Sequence, residues 1–232
     1  MARGSDTGTR GGSRASSESV QTRAIMSAKS PAKGLGNLVK SMKSILDAKG
    51  NYKGDQEVAP TPELLAMAGK DIETAERAIA NSGTEHAAVY VDGKQVFVKT
   101  SSEPNFVDFN AKESKAMKGA VFTHNHPTGP NGEPIPFSRG DVKMLLQNKI
   151  GSFRAVSGNT RFEMSPPKDS DLWKTSKPKL ARMLDSTFEH FANVEGYSKG
   201  KPLPTDVLVR VLDNTLSTID SALNIGYKKT TL

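Results

Sequence analysis

The sequence predicts an α/β domain, a sheet flanked by helices, with a disordered basic N-terminal leader and further helices at the C-terminus. Three observations support this prediction. Runs rich in β-branched and aromatic residues, such as AAVYV and QVFVKT, alternate with segments of helical periodicity. The net charge of +7 comes entirely from residues 1–53, which hold ten Lys or Arg and three Asp or Glu. Only 35% of all residues are hydrophobic, so we expect part of the chain to lie outside a packed core.

The N-terminal quarter of the chain divides into two segments. Residues 1–34 are rich in Ser, Gly, Thr, Ala and Arg and have no apolar periodicity, which indicates a disordered basic leader. Residues 35–60 are predicted to form an amphipathic helix, over 35–48, and a linker. The helix could dock on the body, on a partner or on a membrane surface. Because the rest of the chain is neutral, nucleic acid is expected to bind only through 1–53.

The remaining chain is predicted to contain an α/β domain over 61–167 and a helical C-terminal extension over 168–232. In the first part, Asp92-Gly93 between two β-rich runs indicates a hairpin. The apolar run GAVFT is typical of a buried strand ending at Thr123. The other predicted elements are two early helices from Thr61, a helix over 110–119, a helix after Ser138, the strands SFRAVS and TRFEMSP, and helices over 178–194 and from Thr205 to about Ile225.

Composition excludes several classes of protein. The chain has no cysteine, so it forms no disulfide, thiolate metal site or cysteine nucleophile, and any metal must be held by His, Asp or Glu. No segment approaches the roughly 18 apolar residues of a membrane-spanning helix. The N-terminus lacks the apolar core of a Sec signal peptide, so a cytoplasmic location is expected.

The residues with the clearest chemical pattern are two of the four histidines, His124 and His126, which follow the GAVFT run. Residues i and i+2 of a strand point to the same face, so the two imidazoles can project together. Further on, Asp141 lies three residues after Ser138, on the first turn of the predicted helix. Two histidines and one carboxylate leave a fourth tetrahedral position open, as in catalytic zinc sites. The spacing alone also fits an ordinary capping box and an idle histidine pair.

The segment THNHP…PFSRGD resembles the JAMM motif of the JAB/MPN metalloprotease superfamily, which consists of an upstream Glu, His-x-His and Ser-x-x-Asp. HNHPTG is also similar to the form in bacterial RadC-like proteins and phage-associated JAB-like domains. The resemblance covers residues 70–166 and implies a JAB/MPN-like, cytidine-deaminase-like fold. The eleven residues from Pro127 to Phe137 exceed the family's usual spacing, in a turn-rich stretch where insertion costs little.

The resemblance implies a role for each residue of the motif. His124, His126 and Asp141 would be the zinc ligands, and Ser138 would stabilise the oxyanion. Glu85, which precedes the AAVYV run, would be the general base on a zinc-activated water, whose pKa is about 7.

Other residues are weaker candidates for these roles. Glu103, Glu113 and Glu133 are alternatives to Glu85 as the base. His86 is expected to be a surface side chain rather than a fourth ligand.

The implied function is a zinc metallohydrolase that cleaves a peptide or isopeptide bond in a protein, including the ubiquitin-like modifiers on which members of the family act. Two alternatives remain at this point: a non-catalytic JAB-like scaffold in a phage or bacterial assembly, and a RadC-like DNA-associated protein. The leader also resembles the export signals of effectors secreted into host cells, and it equally resembles a phage tail or a plain disordered arm.

Overall fold

The computed structural model describes residues 43–47, 61–101, 107, 109–167, 177–198 and 200–232. Within them the chain forms a mixed sheet with helices on both faces, so the α/β prediction is confirmed. The leader predicted over 1–34 and the linker over 49–60 lie outside the described residues.

Six strands between His86 and Thr231 form the body of the sheet, and Lys43–Asp47 adds one more at an edge. The order across the sheet is β1-β3-β2-β4-β5-β6-β7, in which β4 and β5 run parallel and every other neighbouring pair is antiparallel. The strands are β1 (Lys43–Asp47), β2 (His86–Val91), β3 (Lys94–Ser101), β4 (Val121–Asn125), β5 (Ser152–Ser157), β6 (Thr160–Met164) and β7 (Lys228–Thr231).

The hairpin between β2 and β3 turns at Asp92-Gly93, as the sequence predicts. Both residues have positive φ, 50° at Asp92 and 72° at Gly93. That combination is the two-residue turn whose twist matches antiparallel strands, and Asp-Gly favours it because glycine meets no steric penalty there.

Helices cover both faces of the sheet, and a separate hydrophobic cluster packs against each face. The helices are α1 (Pro62–Met67), α2 (Ile72–Ile79), α3 (Ala111–Ala116), α4 (Arg139–Asn148), α5 (Lys177–Val194) and α6 (Thr205–Leu223). On one face, which we call the back face, α1 and α2 pack against Ala88, Tyr90, Val98 and Val156. On the other, the front face, α4, α5 and α6 pack against a cluster that includes Ala87, Phe122, Phe153, Ala155 and Phe162.

The C-terminal extension contributes to the front-face core, and its helices α5 and α6 also form a third cluster between them, around Phe188 and Val211. Leu216, Ile219 and Leu223 of α6 are buried in the same cluster as Phe122. The all-helical prediction for 168–232 is wrong at its end, because Lys228–Thr231 form β7 on the edge of β6. Those four residues are exposed and polar, so they carry no apolar alternation that would have indicated a strand.

The helix predicted over 35–48 is also wrong where it can be compared with the structure. Lys43–Asp47 form β1, which pairs antiparallel with β3 from Lys43 opposite Ser101 to Asp47 opposite Phe97. Without β1, the outer backbone groups of β3 would have no strand beside them, and pairing satisfies them. This tertiary pairing outweighs a helical pattern that is too short to be stable alone. Residues 35–42 lie outside the described part of the chain.

Among the helices of the described residues, none combines the length and the apolar character needed to cross a membrane.

Candidate metal centre

The central strand β4 carries the two histidines of the motif to one point. It ends at Asn125, two residues later than predicted, so His124 lies within the strand. The backbone N–H of His126 donates to the carbonyl of Val156 at 2.9 Å, which continues the line of β5 contacts beyond the strand end. His124 is almost fully buried, and its ring contacts those of Phe122 and Phe153 on the front face.

Backbone carbonyls hold the inner nitrogen of each ring. His124 Nδ1 lies 2.9 Å from the carbonyl oxygen of Arg154, and His126 Nδ1 lies 3.0 Å from that of Pro136 and 3.2 Å from that of Ile135. Because a carbonyl only accepts, each Nδ1 carries a proton, and Nε2 is the nitrogen of each ring that can bind a further proton or a metal ion. The two Nε2 atoms lie 3.0 Å apart. Such outer contacts fix the tautomer and orientation of metal-binding histidines.

Asp141 reaches the same point from the first turn of α4. Ser138 is the N-cap: its Oγ accepts the Asp141 N–H at 3.2 Å, and Asp141 Oδ2 accepts the Ser138 N–H at 2.7 Å. The predicted capping box is therefore present. The same carboxylate places Oδ1 3.3 Å from His124 Nε2 and Oδ2 3.3 Å from His126 Nε2. The residues of the capping box and those of the predicted metal motif therefore lie together.

Glu85 approaches from the start of β2. Ala87 pairs with His124 across the β2–β4 ladder, so the antiparallel register sets Glu85 opposite His126, just beyond the paired residues. Glu85, His124 and His126 each offer one ligand atom, and these atoms lie within 4.8 Å of one another. The side chain of Glu85 is half-buried. These three residues could hold a metal ion, and Asp141 touches both histidines beside them.

The ionisable groups of this cluster shift one another's pKa values. Burial raises the pKa of Glu85 to about 8, with the nearby charge of Asp141 adding to the effect and that of His126 opposing it. Burial lowers the pKa of His126, but the hydrogen bond and charge of Asp141 and the charge of Glu85 raise it to about 9. Burial lowers the pKa of His124. Burial acts to raise the pKa of Asp141, yet the two histidines hold it well below its usual range.

The other glutamates considered as the base lie elsewhere in contacts of their own. Glu113 Oε2 accepts from Lys99 Nζ at 2.6 Å, and Glu133 accepts from Asn131 within its loop. Glu103 lies outside the described residues. Of the glutamates that the structure describes, Glu85 is the one grouped with the two histidines.

His86 is not the surface side chain that was expected. It is fully buried, with Nε2 2.7 Å from Thr61 Oγ1 and Nδ1 2.9 Å from the carbonyl oxygen of Thr84. Its backbone N–H donates to the side chain of Asn125 at 2.8 Å. Because neighbouring strand residues alternate between faces, His86 points away from the face that Ala87 shares with the metal centre. Its partners make it a structural histidine that links α1 to the sheet.

The long segment between the histidines and Ser138 supports the centre. Ile135 and Pro136, near its end, provide the carbonyls that face His126 Nδ1. The N–H of Ile135 donates to Ser157 Oγ at 3.0 Å, which ties the segment to the end of β5. The sequence could not reveal these carbonyls, because any residue type supplies one. The extra length therefore leaves His126 anchored rather than displaced.

The donor set, two imidazole nitrogens with carboxylate oxygens nearby, suits zinc and similar divalent cations. Comparison with known proteins adds no assignment, since no family model, curated protein or solved structure matches the chain.

Proposed function

We propose that this protein is a zinc-dependent hydrolase of the JAMM type that cleaves a peptide or isopeptide bond in a protein substrate. The observation that carries the proposal is the convergence of His124 Nε2, His126 Nε2 and the Asp141 carboxylate within 3.0–3.3 Å, with both Nδ1 atoms tethered behind them. If both rings were neutral, the lone pairs of the two Nε2 atoms would face and repel each other. A bound dication would remove this repulsion by accepting both lone pairs. Glu85, whose ligand atom lies within 4.8 Å of those of the two histidines, would supply the base for hydrolysis.

Zinc bound here would supply a Lewis acid for the scissile carbonyl and lower the pKa of a coordinated water. In this proposal Glu85 takes a proton from the attacking water and delivers it to the leaving amine. In the metal-free protein, burial raises the pKa of the half-buried Glu85 carboxyl to about 8. A dication bound beside it would lower that pKa and favour the carboxylate form that a general base needs. Water, and not a protein side chain, attacks the carbonyl carbon, so the reaction needs no covalent intermediate with the protein.

Ser138 is proposed to donate its hydroxyl proton to the developing oxyanion. Its Oγ accepts the Asp141 N–H, which leaves the hydroxyl hydrogen free to point elsewhere. The capping box also holds Ser138 next to Asp141. A donor that is held in place in this way stabilises charge in the transition state without having to reorganise.

The test is metal content followed by hydrolysis. Protein purified without chelator is analysed by mass spectrometry for zinc, and His124→Asn and His126→Asn are compared with His190→Asn, which changes an exposed histidine on α5. We expect one zinc per chain in the wild type and in His190→Asn, and loss of zinc in the other two. The same proteins are then assayed on a panel of isopeptide-linked ubiquitin-like conjugates and unlinked peptides. Absence of zinc from well-folded wild-type protein would refute the proposal and favour a non-catalytic scaffold.

A further inference from the structure

Directly behind the metal centre, on the back face of the sheet, lies the fully buried carboxylate of Glu76 on α2. Glu76 Oε1 accepts from Thr123 Oγ1 at 3.0 Å, and Oε2 accepts from Arg161 Nε at 2.7 Å. Arg154 Nη1 lies 3.6 Å from Oε1. These three partners belong to β4, β6 and β5, so one carboxylate ties three neighbouring strands to one helix.

Two of these partners also border the metal centre. Thr123 immediately precedes His124, and its register partner in β5 is Arg154. Arg154 therefore makes contacts on both faces of the sheet. Its guanidinium lies near Glu76 on the back face, and its carbonyl oxygen accepts from His124 Nδ1 on the front face. A shift of β4 against β5 would change that front contact directly.

Packing does not explain a carboxylate at this position. The other buried residues of α2, Ala75 and Ile79, are apolar. Withdrawing a carboxylate from water is costly, and buried ion pairs are often no more stabilising than well-packed apolar residues of the same volume. What such a pair can give is a fixed geometry between the elements that it joins.

We propose that Glu76 is a positioning residue for the metal centre: through Thr123 and Arg154 it sets β4 against β5, so that the Arg154 carbonyl stays aligned with His124 Nδ1. The proposal depends on the metal-binding part of the proposed function. Loss of a direct hydrogen-bond partner of a metal-binding histidine changes metal affinity by about 10- to 100-fold. Glu76 acts through such a partner, the Arg154 carbonyl, so that range is the upper bound for its loss.

Two variants of Thr123 form a matched test. Thr123→Val keeps the branched shape but removes the hydroxyl that donates to Glu76, whereas Thr123→Ser keeps the donor and removes a methyl group. Zinc affinity is measured by competition with a chromogenic chelator, and the visible spectrum of the Co²⁺-loaded protein reports the geometry of the ligands. We expect about 10-fold weaker zinc binding and an altered Co²⁺ spectrum for Thr123→Val. Thr123→Ser should bind and absorb like the wild type.

Glu76→Gln is the second probe and should weaken zinc binding by up to about 100-fold. If it does not fold, the Thr123 pair decides alone. Equal zinc affinity and equal spectra for Thr123→Val, Thr123→Ser and the wild type would overturn the positioning role while leaving the proposed function intact. Weaker binding in both Thr123 variants would also overturn it, since loss of packing would then be the cause. A wild-type protein that binds no zinc would refute both proposals together.

Discussion

His124 and His126 present their Nε2 atoms to each other at 3.0 Å, while the Nδ1 atom of each ring faces a backbone carbonyl. Since the carbonyls accept the Nδ1 protons, two neutral rings would set two lone pairs against each other. The close approach of the two Nε2 atoms is therefore favourable only when a cation lies between or beside the rings. Without metal that cation is a proton, which the Asp141 carboxylate 3.3 Å from each Nε2 also stabilises. A metal ion must therefore displace a proton to bind.

Zinc binding at pH 7.5 should accordingly release protons. The pKa of His126 in the metal-free protein is raised to about 9 and that of Glu85 to about 8, so both groups are largely protonated at this pH. We expect release of about one to two protons per zinc. Calorimetric titrations in buffers of different ionisation enthalpy measure this number directly. A binding enthalpy that does not depend on the buffer would contradict the assignment, and His190→Asn serves as a control that should behave like the wild type.

The stability of the metal-free protein should fall as the pH rises. The folded-state pKa of His126, about 9, exceeds its ordinary value of 6.5, and that of Glu85, about 8, exceeds 4.5. For such groups the folded state binds more protons than the unfolded state, so their stabilisation is present at low pH and is lost as the pH passes the folded pKa. Thermal unfolding in chelator should therefore give a decreasing melting temperature between pH 6.5 and 9. The double variant Glu85→Gln, His126→Asn should flatten that profile. An unchanged slope would show that other groups cause it.

Glu85→Gln should separate catalysis from metal binding. The amide keeps the size of the side chain but cannot accept a proton, and general acid–base groups contribute about 10²- to 10⁴-fold to rate. We expect a loss of that order in kcat on any conjugate that the wild type cleaves, with zinc still bound through His124, His126 and Asp141. Mass spectrometry for zinc and steady-state kinetics measure the two properties. Activity within a few-fold of the wild type would assign the base to another residue.

Those parts of the fold that depend on local chemistry could be predicted from the sequence. Asp92-Gly93 indicates its turn because few other pairs tolerate two positive φ angles, and the structure has that turn. Ser138 and Asp141 indicate a helix start by their spacing, and the capping box is there. The His-x-His spacing indicates that both rings lie on one face, because residues i and i+2 of an extended segment point the same way.

Features that depend on distant partners could not be predicted in this way. Both strands that the sequence analysis missed, β1 and β7, are edge strands whose neighbours are remote in sequence. The burial of His86 follows from Thr61, which is 25 residues away, and that of Glu76 from Arg161, which is 85 residues away. Histidine and glutamate are usually found at the surface, and their buried partners here come together only when the sheet is assembled.

Deletion of the N-terminal segment should have a threshold at β1. Removing residues 1–42 leaves β1 on the edge of β3, whereas removing 1–47 exposes the outer backbone groups of β3. An unpaired edge is a template for association with another chain. Light scattering should show that the longer deletion self-associates and the shorter one does not. If both deletions scatter alike, β1 does not protect the sheet edge.

A buried ion pair on the front face provides a test of packing. Lys99 is fully buried, and its Nζ lies 2.6 Å from Glu113 Oε2, which also accepts the N–H of Asn110 at 2.9 Å. Lys99→Met should destabilise the protein by about 3–5 kcal/mol, because the Glu113 carboxylate loses its cation. Glu113→Gln in the same chain keeps an acceptor for Asn110 without the charge, so the double variant should recover part of the loss.

Urea unfolding of Lys99→Met, Glu113→Gln and the double variant gives the coupling energy of the pair. Lys112→Met, at an exposed position of α3, is the matched control and should change stability by less than about 0.5 kcal/mol. Lys99 and His124 occupy one cross-strand row but are separated by Ala87, so the loss of the pair should leave zinc affinity unchanged. If the changes in the free energy of unfolding of the two single variants simply add, Lys99 and Glu113 do not stabilise each other. Lys99 would then be stabilised by its other surroundings, such as the ring of Phe109, whose centroid lies 5.0 Å from Nζ.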